Sequence, residues 1–313
     1  MKDAPLASRW LYALKPKSWP KLFAPALLGQ AIGFADSGKL SWLAALVGAL
    51  FTALDASLIV LLNDWGDREV DAIKRRRFPH ACSPKTIPDG ILSAETVLFG
   101  GLFAATVLVV LAFRAGPAIG RPALGPMSLV AVALFVAYTF PPARLNYRGG
   151  GELVEAVGVG LVLPGIHAYL QSGELASPRM IALAPSLLSL ALASALASGL
   201  SDEESDREGG KRTFTTALGN RAVRLGVLLA VAAGILLLGA SVLITRGGLA
   251  APAALGALVL AAAGRPLIGA CEGAVTGAFA EQNRFKAALH AGSWGAMAAM
   301  TAALVVQRAL GLG

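Results

Sequence analysis

The chain has 313 residues, 56% of them apolar and 15% charged, with a mean hydropathy of +0.65. A soluble domain carries about 25% charged residues, so a water-soluble globular fold is excluded and a membrane-embedded chain is expected. The formal net charge of +8 is spread over short segments between apolar runs, which points to topology and to anionic lipid or a phosphorylated substrate rather than to nucleic acid.

In chain order, a segment with Trp10, Tyr12 and Trp19 among Arg9, Lys15, Lys17 and Lys21 comes first. It does not read as a cleaved signal peptide. Aromatics mixed with cations suit the membrane–water interface, so residues 1–20 are expected to be an interfacial anchor or a flap over one mouth of a bundle. Nine apolar stretches approach the roughly 20 residues needed to span a bilayer: 21–35, 41–62, 94–114, 124–141, 153–171, 179–200, 222–245, 249–270 and 286–309. Pro164, Pro252 and Pro266 predict kinks or ends. The fold class expected is therefore an all-α integral membrane bundle in one domain, 1–313. Cys82 and Cys271 lack metal-ligand spacing and are read as free thiols.

With nine spans, the N-terminus and the loops after spans two, four, six and eight share one side. All but six of the 27 Lys and Arg residues fall there, the exceptions being Lys39, Arg114, Arg121, Arg179, Arg246 and Arg308. The positive-inside rule makes that side cytoplasmic.

Two acidic groups lie on it. Asn63, Asp67 and Asp71 are four apart, with Asp64 beside them, and so share one helical face. Carboxylates that close repel one another unless a cation bridges them. Asp202 and Asp206, four apart within Asp202-Glu203-Glu204-Ser205-Asp206, close another apolar run. Magnesium takes one or two carboxylates plus substrate phosphates, so two facing acidic groups could hold metal between themselves and a diphosphate. Arg68, Lys74 and Lys211 would offset phosphate charge. Between them, the stretch from Tyr138 to Glu152 carries Arg144 and Arg148; it reads either as a phosphate-reaching segment or as an interfacial loop.

Asp55, in the middle of span two, costs about 2.5–3.5 kcal/mol on insertion scales. It is expected to face a cavity, as an acceptor-site base or a satisfied structural carboxyl. Glu155 has the same two readings. His167 and His290 read as packing or hydrogen-bonding residues.

The pattern Asn-Asp-x-x-Asp-x-x-x-Asp at 63–71, with Asp202-x-x-x-Asp206-Arg207-x-x-Gly210-Lys211-x-Thr213, resembles the two signature motifs of the UbiA superfamily of intramembrane prenyltransferases. The resemblance covers nearly the whole chain. It implies a bundle around a central cavity, and Mg²⁺ held by Asn63, Asp64, Asp67, Asp71, Asp202 and Asp206 against a polyprenyl diphosphate. Asp67, Asp71, Asp202 and Asp206 are then the expected catalytic groups. Arg68, Lys74, Arg144, Arg148 and Lys211 are expected on the diphosphate, and Asp55, Tyr138, Glu152 and Glu155 around the substrate. Lys15-Pro16-Lys17-Ser18-Trp19-Pro20, Tyr147-x-Gly149-x-Gly151-Glu152 and Tyr169-Leu170-Gln171 are most similar to the 1,4-dihydroxy-2-naphthoate prenyltransferases of menaquinone synthesis. Lys15 stands where that group usually has Arg, Pro142 where many members place a basic residue, and Ser83-Pro84-Lys85 where others have an Arg-Pro pair.

The expected activity is Mg²⁺-dependent transfer of a polyprenyl group to that naphthoate, from a multi-pass position in a bacterial inner membrane with the site facing the cytoplasm. Another acceptor is the alternative: 4-hydroxybenzoate, homogentisate, a tetrapyrrole propionate or a lipid headgroup. A transporter or lipid-binding protein is the alternative of another class, although transporters usually place such sites near the midplane.

Overall fold

The computed structural model describes residues 3–312, so the expected interfacial segment is seen from residue 3 onward. Those residues are helical almost throughout. The helices that position the site are α1 (Leu6–Leu14), α2 (Pro20–Ser37), α3 (Trp42–Gly66), α4 (Arg68–Arg77), α5 (Ala94–Ala118) and α6 (Leu124–Thr139). They continue with α7 (Leu145–Arg148), α8 (Gly151–Ser172), α9 (Pro178–Glu208), α10 (Phe214–Leu218), α11 (Asn220–Ile244), α12 (Ala250–Gly273) and α13 (Phe279–Ala309). Each of the nine apolar stretches is helical. Seven of these helices are long and apolar enough to cross a membrane; the other two are α2 and the 16-residue α6.

Local sequence sets the helix ends. Ser41, Ser93 and Ser177 accept the N–H of Ala44, Thr96 and Met180 and so cap α3, α5 and α9. Gly38 and Gly173, both at positive φ, close α2 and α8. Pro252 lies in the first turn of α12, where a missing N–H costs nothing, and Pro266 lies within the helix. Ahead of Pro164, α8 widens into one π-helical stretch, Gly158–Val162, in which the Leu163 N–H reaches the Gly158 carbonyl. Pro164 offers no N–H and would crowd the carbonyl four residues back, and the wider turn relieves both.

Two apolar cores meet along α2. One joins Leu28 and Ile32 of α2 to α9, α11, α12 and α13; the other joins Leu22 and Ala26 to α3, α5, α6 and α8. The contact between α2 and α8 is close: a Cβ at Gly29 would stand 2.3 Å from the Pro164 carbonyl oxygen, and one at Gly33 2.3 Å from that of Ala168. His167 ties three helices here. Its Nε2 lies 2.8 Å from Thr52 Oγ1 and its Nδ1 2.9 Å from Gln30 Nε2. His290 likewise bonds Ser194 Oγ at 2.9 Å and stacks on Trp294. The outer faces carry large exposed apolar side chains such as Trp42, Phe103, Leu236 and Leu243. Water would penalise such a surface and lipid does not, so the chain is an integral, multi-pass membrane protein.

Candidate active site

The acid-bearing ends of α3 and α9 are brought together by α4. Asp67 breaks the helix between α3 and α4, yet its N–H still reaches the Asn63 carbonyl, and Asp71 N–H reaches that of Asp67. The four-residue spacing therefore continues across the break and keeps Asn63, Asp67 and Asp71 on one face. Val70 of α4 packs on Gly209 at the end of α9, where an added Cβ would come within 2.5 Å of its Cγ2. Arg77 bonds Glu208 through two nitrogens at 2.6 and 2.9 Å. A third segment locks on: Arg212 N–H donates to the Tyr147 carbonyl at 3.0 Å.

The cations that offset the acidic repulsion in this structure are lysines. Lys15 pairs with Asp64, Lys85 with Asp71, and Lys74 with Asp202. Lys211 lies 3.0 Å from Asp67 and 3.8 Å from Asp206. Lys74 also donates to the Ser201 carbonyl at 2.9 Å. Two of these lysines, Lys15 and Lys85, lie in the stretches noted above as differing from the family pattern that the sequence resembles, and each faces an aspartate.

Burial decides how firmly those charges are held. Burial opposes the charge on Lys85, but Asp71, Asp64 and Asp67 outweigh it and raise its pKa. For Lys211, burial is again outweighed, by Asp67 and Asp206, and the pKa rises. Lys74 goes the other way: burial, with Lys85 and Lys286 nearby, drives its pKa well below the usual lysine range. A buried ammonium with a depressed pKa is stabilised by any added negative charge.

Below this cluster lies a cavity of about 320 Å³ between α2, α3, α6 and α8. Lys15, Trp19, Lys21, Asn63 and Asp64 line its polar part; Asp55, Ile59, Phe135, Tyr138, Val159 and Ile166 line the rest. Glu155 also lines it, paired to Lys21 at 2.5 Å. The π-helical turn faces this space through Gly158, Val159 and Val162, as such turns often do at functional sites. The N-terminal segment is seated over it. Arg9 Nε donates to the Ile91 carbonyl at 2.7 Å, Tyr12 donates to Asp89 at 2.5 Å, and Trp19 Nε1 donates to the Leu14 carbonyl at 2.8 Å.

Several expected site residues are turned to other work. Arg144 reaches the Gly66 carbonyl at 3.3 Å and stacks 3.6 Å over the Tyr147 ring. There it neutralises the carbonyl end of α3 rather than facing the cavity. Arg148 is exposed and donates to the Pro142 carbonyl, and Arg68 bonds the Trp65 carbonyl and lies over its ring. Glu152 is outside the cavity lining; its Oε1 accepts the Phe214 N–H at 2.7 Å and so fixes the start of α10. Conversely, Lys15, Lys21 and Lys85 were not assigned to the site from sequence. Nor was Lys286, whose Nζ bonds Ser201 Oγ at 2.8 Å. Glu203, inside the second acidic group, is buried and accepts from Asn220, Thr276 and Arg207; it is a structural carboxylate.

The donor set suits a hard divalent cation, being carboxylate and amide oxygens only. Asn63 Oδ1 is buried with no hydrogen-bond partner, an orphan acceptor that a metal or its water would satisfy. Among the described residues no three acidic, His or Cys side chains converge into one ready nest. That arrangement fits magnesium bound by few carboxylates and shared with phosphate oxygens.

Comparison with known proteins agrees with this geometry. The profile of the UbiA prenyltransferase family matches residues 22–269. The 1,4-dihydroxy-2-naphthoate octaprenyltransferase of Escherichia coli (strain K12) is 27% identical over 219 residues, 67% of this chain and 68% of that one. Chlorophyll synthase of Arabidopsis thaliana is 30% identical over 145 residues, which cover 44% of this chain and 35% of the synthase. A UbiA homolog from Archaeoglobus fulgidus, solved bound to DMAPP and Mg²⁺, superposes with a TM-score of 0.68 at 16% identity, covering 93% of this chain and 99% of that one. At that identity the likeness is one of fold. With two aspartate-bearing helix ends meeting over a membrane-embedded cavity, and a family match across most of its length, the chain is a prenyltransferase of the UbiA family.

Proposed function

We propose that this enzyme transfers a polyprenyl group from polyprenyl diphosphate to 1,4-dihydroxy-2-naphthoate, in a menaquinone-type pathway, using Mg²⁺ and working from the cytoplasmic side of a bacterial inner membrane. The observation that carries the reading is the set of lysine–aspartate pairs from two distant segments, gathered at the polar end of an otherwise largely apolar cavity. The naphthoate acceptor is supported by the 27% identical Escherichia coli enzyme and by the Lys15–Pro20 and Tyr169–Gln171 stretches.

The residues divide the work by polarity. Asn63, Asp64, Asp67, Asp71, Asp202 and Asp206 would hold Mg²⁺, which neutralises charge on the departing diphosphate. Lys15, Lys74, Lys85 and Lys211, already beside those carboxylates, exchange carboxylate partners for phosphate oxygens when the donor binds. The apolar and aromatic walls at Trp19, Phe135 and Tyr138 exclude water and tolerate positive charge on the prenyl carbon. An electron-rich ring held in the same space then attacks the prenyl carbon as its bond to the diphosphate oxygen breaks. A naphthoate acceptor regains its aromaticity by losing its carboxyl group as CO₂ and a proton, and the apolar tail extends into lipid.

The test is direct. Purified protein, radiolabelled geranylgeranyl diphosphate, Mg²⁺ and a panel of 1,4-dihydroxy-2-naphthoate, 4-hydroxybenzoate, homogentisate and a chlorophyllide should give a lipid-soluble product with the naphthoate. A product with the chlorophyllide alone would instead support the acceptor class of the Arabidopsis relative. Prenylation of no acceptor, with donor affinity unchanged in Asp67→Asn and Asp206→Asn, overturns the reading.

A further inference from the structure

The cavity has a second polar landmark far from the lysine–aspartate pairs. Asp55 lies on the face of α3 that carries Asn63, eight residues earlier, and so about 12 Å deeper at 1.5 Å per residue. The residue is 7% exposed, lines the cavity, and among the described residues makes neither a hydrogen bond nor an ion pair. Ala56, Ile59, Val162 and Ile166, which line the same cavity, carry no side-chain donor. An unpartnered carboxyl in a membrane span is costly to keep, and nothing in the packing of α3 requires one there.

Each half of the donor is a poor match for it. The diphosphate is an anion, and the lysines that suit it are at the other end of the cavity. The prenyl tail has no hydrogen-bond donor and would only strip Asp55 of whatever solvation it has. The remaining occupant is the second substrate.

We infer that Asp55 is the acceptor-recognition group, taking a hydrogen bond from a hydroxyl of a small aromatic acceptor. The inference rests on the prenyl-transfer reading above and narrows it. A hydroxyl at Asp55 orients the ring along the cavity with its far edge towards the lysine–aspartate cluster, where the prenyl carbon is delivered. A carboxylate on the same ring would be repelled by an ionised Asp55 and drawn towards Lys15 and Lys21. Acceptors that react through a carboxylate and carry no hydroxyl do not match. Sites built around a substrate hydroxyl discriminate strongly against analogues lacking it, because the site's own polar group is then left unpaired.

Two measurements test this, one with turnover and one without. In the first, Asp55→Leu and Asp55→Asn are compared with the wild type in steady-state kinetics, each substrate varied in turn with the other and Mg²⁺ saturating. Asp55→Leu is expected to raise the naphthoate KM at least tenfold with the donor KM within twofold of wild type. Asp55→Asn, which keeps an acceptor oxygen, is expected to fall between. In the second, binding of 1-naphthol and of 1-methoxynaphthalene to the full chain in nanodiscs is measured by equilibrium dialysis against empty nanodiscs. The wild type is expected to prefer the naphthol about tenfold and Asp55→Leu to lose that preference. An unchanged naphthol preference in a folded Asp55→Leu protein, or a rise in donor KM equal to that in acceptor KM, overturns the inference. If the wild type prenylates no acceptor, the prenyl-transfer reading fails, while the dialysis still decides the role of Asp55.

Discussion

Lys211 Nζ stands 3.0 Å from Asp67 Oδ2 and 3.8 Å from Asp206 Oδ1, so a single ammonium joins the two acidic helix ends. It also lies 4.9 Å from the centre of the Tyr147 ring. Replacing it with Gln leaves two buried carboxylates without their cation. Breaking a buried pair typically costs about 3–5 kcal/mol, and loss of one charge-stabilising group costs about 100- to 1000-fold in rate. Lys211→Gln is expected to lower kcat by about that factor and to lower the thermal midpoint, measured by prenyl transfer and by fluorescence-detected melting.

Asp67 and Asp206 should separate binding from folding. Asp67→Asn and Asp206→Asn are expected to weaken Mg²⁺-dependent binding of geranylgeranyl diphosphate at least tenfold, and EDTA should do the same to the wild type. Equilibrium binding of the radiolabelled donor reads both; donor affinity indifferent to EDTA would sink the metal assignment.

Glu203, next to Asp202 and three residues before Asp206, should behave oppositely. Its oxygens accept from Asn220 and Thr276 at 3.0 Å and from Arg207 at 3.1 Å. Glu203→Ala leaves those donors unpaired and is expected to destabilise the protein by about 3 kcal/mol, while the protein that remains folded keeps its donor KM.

Lys286 bonds Ser201 Oγ at 2.8 Å and, among the described residues, forms no ion pair. Ser201 also lends its carbonyl to Lys74, so Lys286 adjoins the cluster without a carboxylate of its own. Lys286→Met is expected to raise the donor KM several-fold and leave the acceptor KM unchanged, as steady-state kinetics with each substrate varied will show.

Tyr12 and Asp89 give a pH signature for the N-terminal cover. Burial, then the hydrogen bond to Asp89, pushes the Tyr12 pKa up to about 12, against an ordinary value of about 10. A group raised on folding stabilises fully below its unfolded value, so this contribution is complete below about pH 10 and fades as pH rises towards 12. Asp89 is lowered: burial opposes its charge, but hydrogen bonds from Arg75 and Tyr12 outweigh it. Its contribution is present above the usual carboxylate range and lost as pH falls through its depressed value. Tyr12→Phe is expected to speed hydrogen exchange across residues 6–19 at pH 7 and to remove the alkaline loss of protection.

Much of the outline was legible because it is written locally. Apolar run length located nine of the helices, seven of them long and apolar enough to cross a membrane, and four-residue spacing placed Asn63, Asp67 and Asp71 on one face even though the helix breaks at Asp67. For Arg144 and Glu152, charge near a motif does not reveal where the side chain points. One neutralises the carbonyl end of α3 and the other holds the Phe214 N–H. Lys15 and Lys85 were visible only as departures from a family pattern, and their partners, Asp64 and Asp71, were not.

The sequence by itself determined that the chain lies in a membrane, that its acidic groups end helices on one charged side, and that two of them form a recognisable pair of motifs. Hydropathy, periodicity and motif spacing are short-range properties, so no fold was needed to read them. Only the tertiary structure decided which ammonium faces which carboxylate. Lys15 meets Asp64 across 49 residues, Lys74 meets Asp202 across 128, and Lys211 meets Asp67 across 144. Electrostatic energy depends on distance and burial rather than on order along the chain, so those pairings, and the isolation of Asp55, become visible only once the helices are packed.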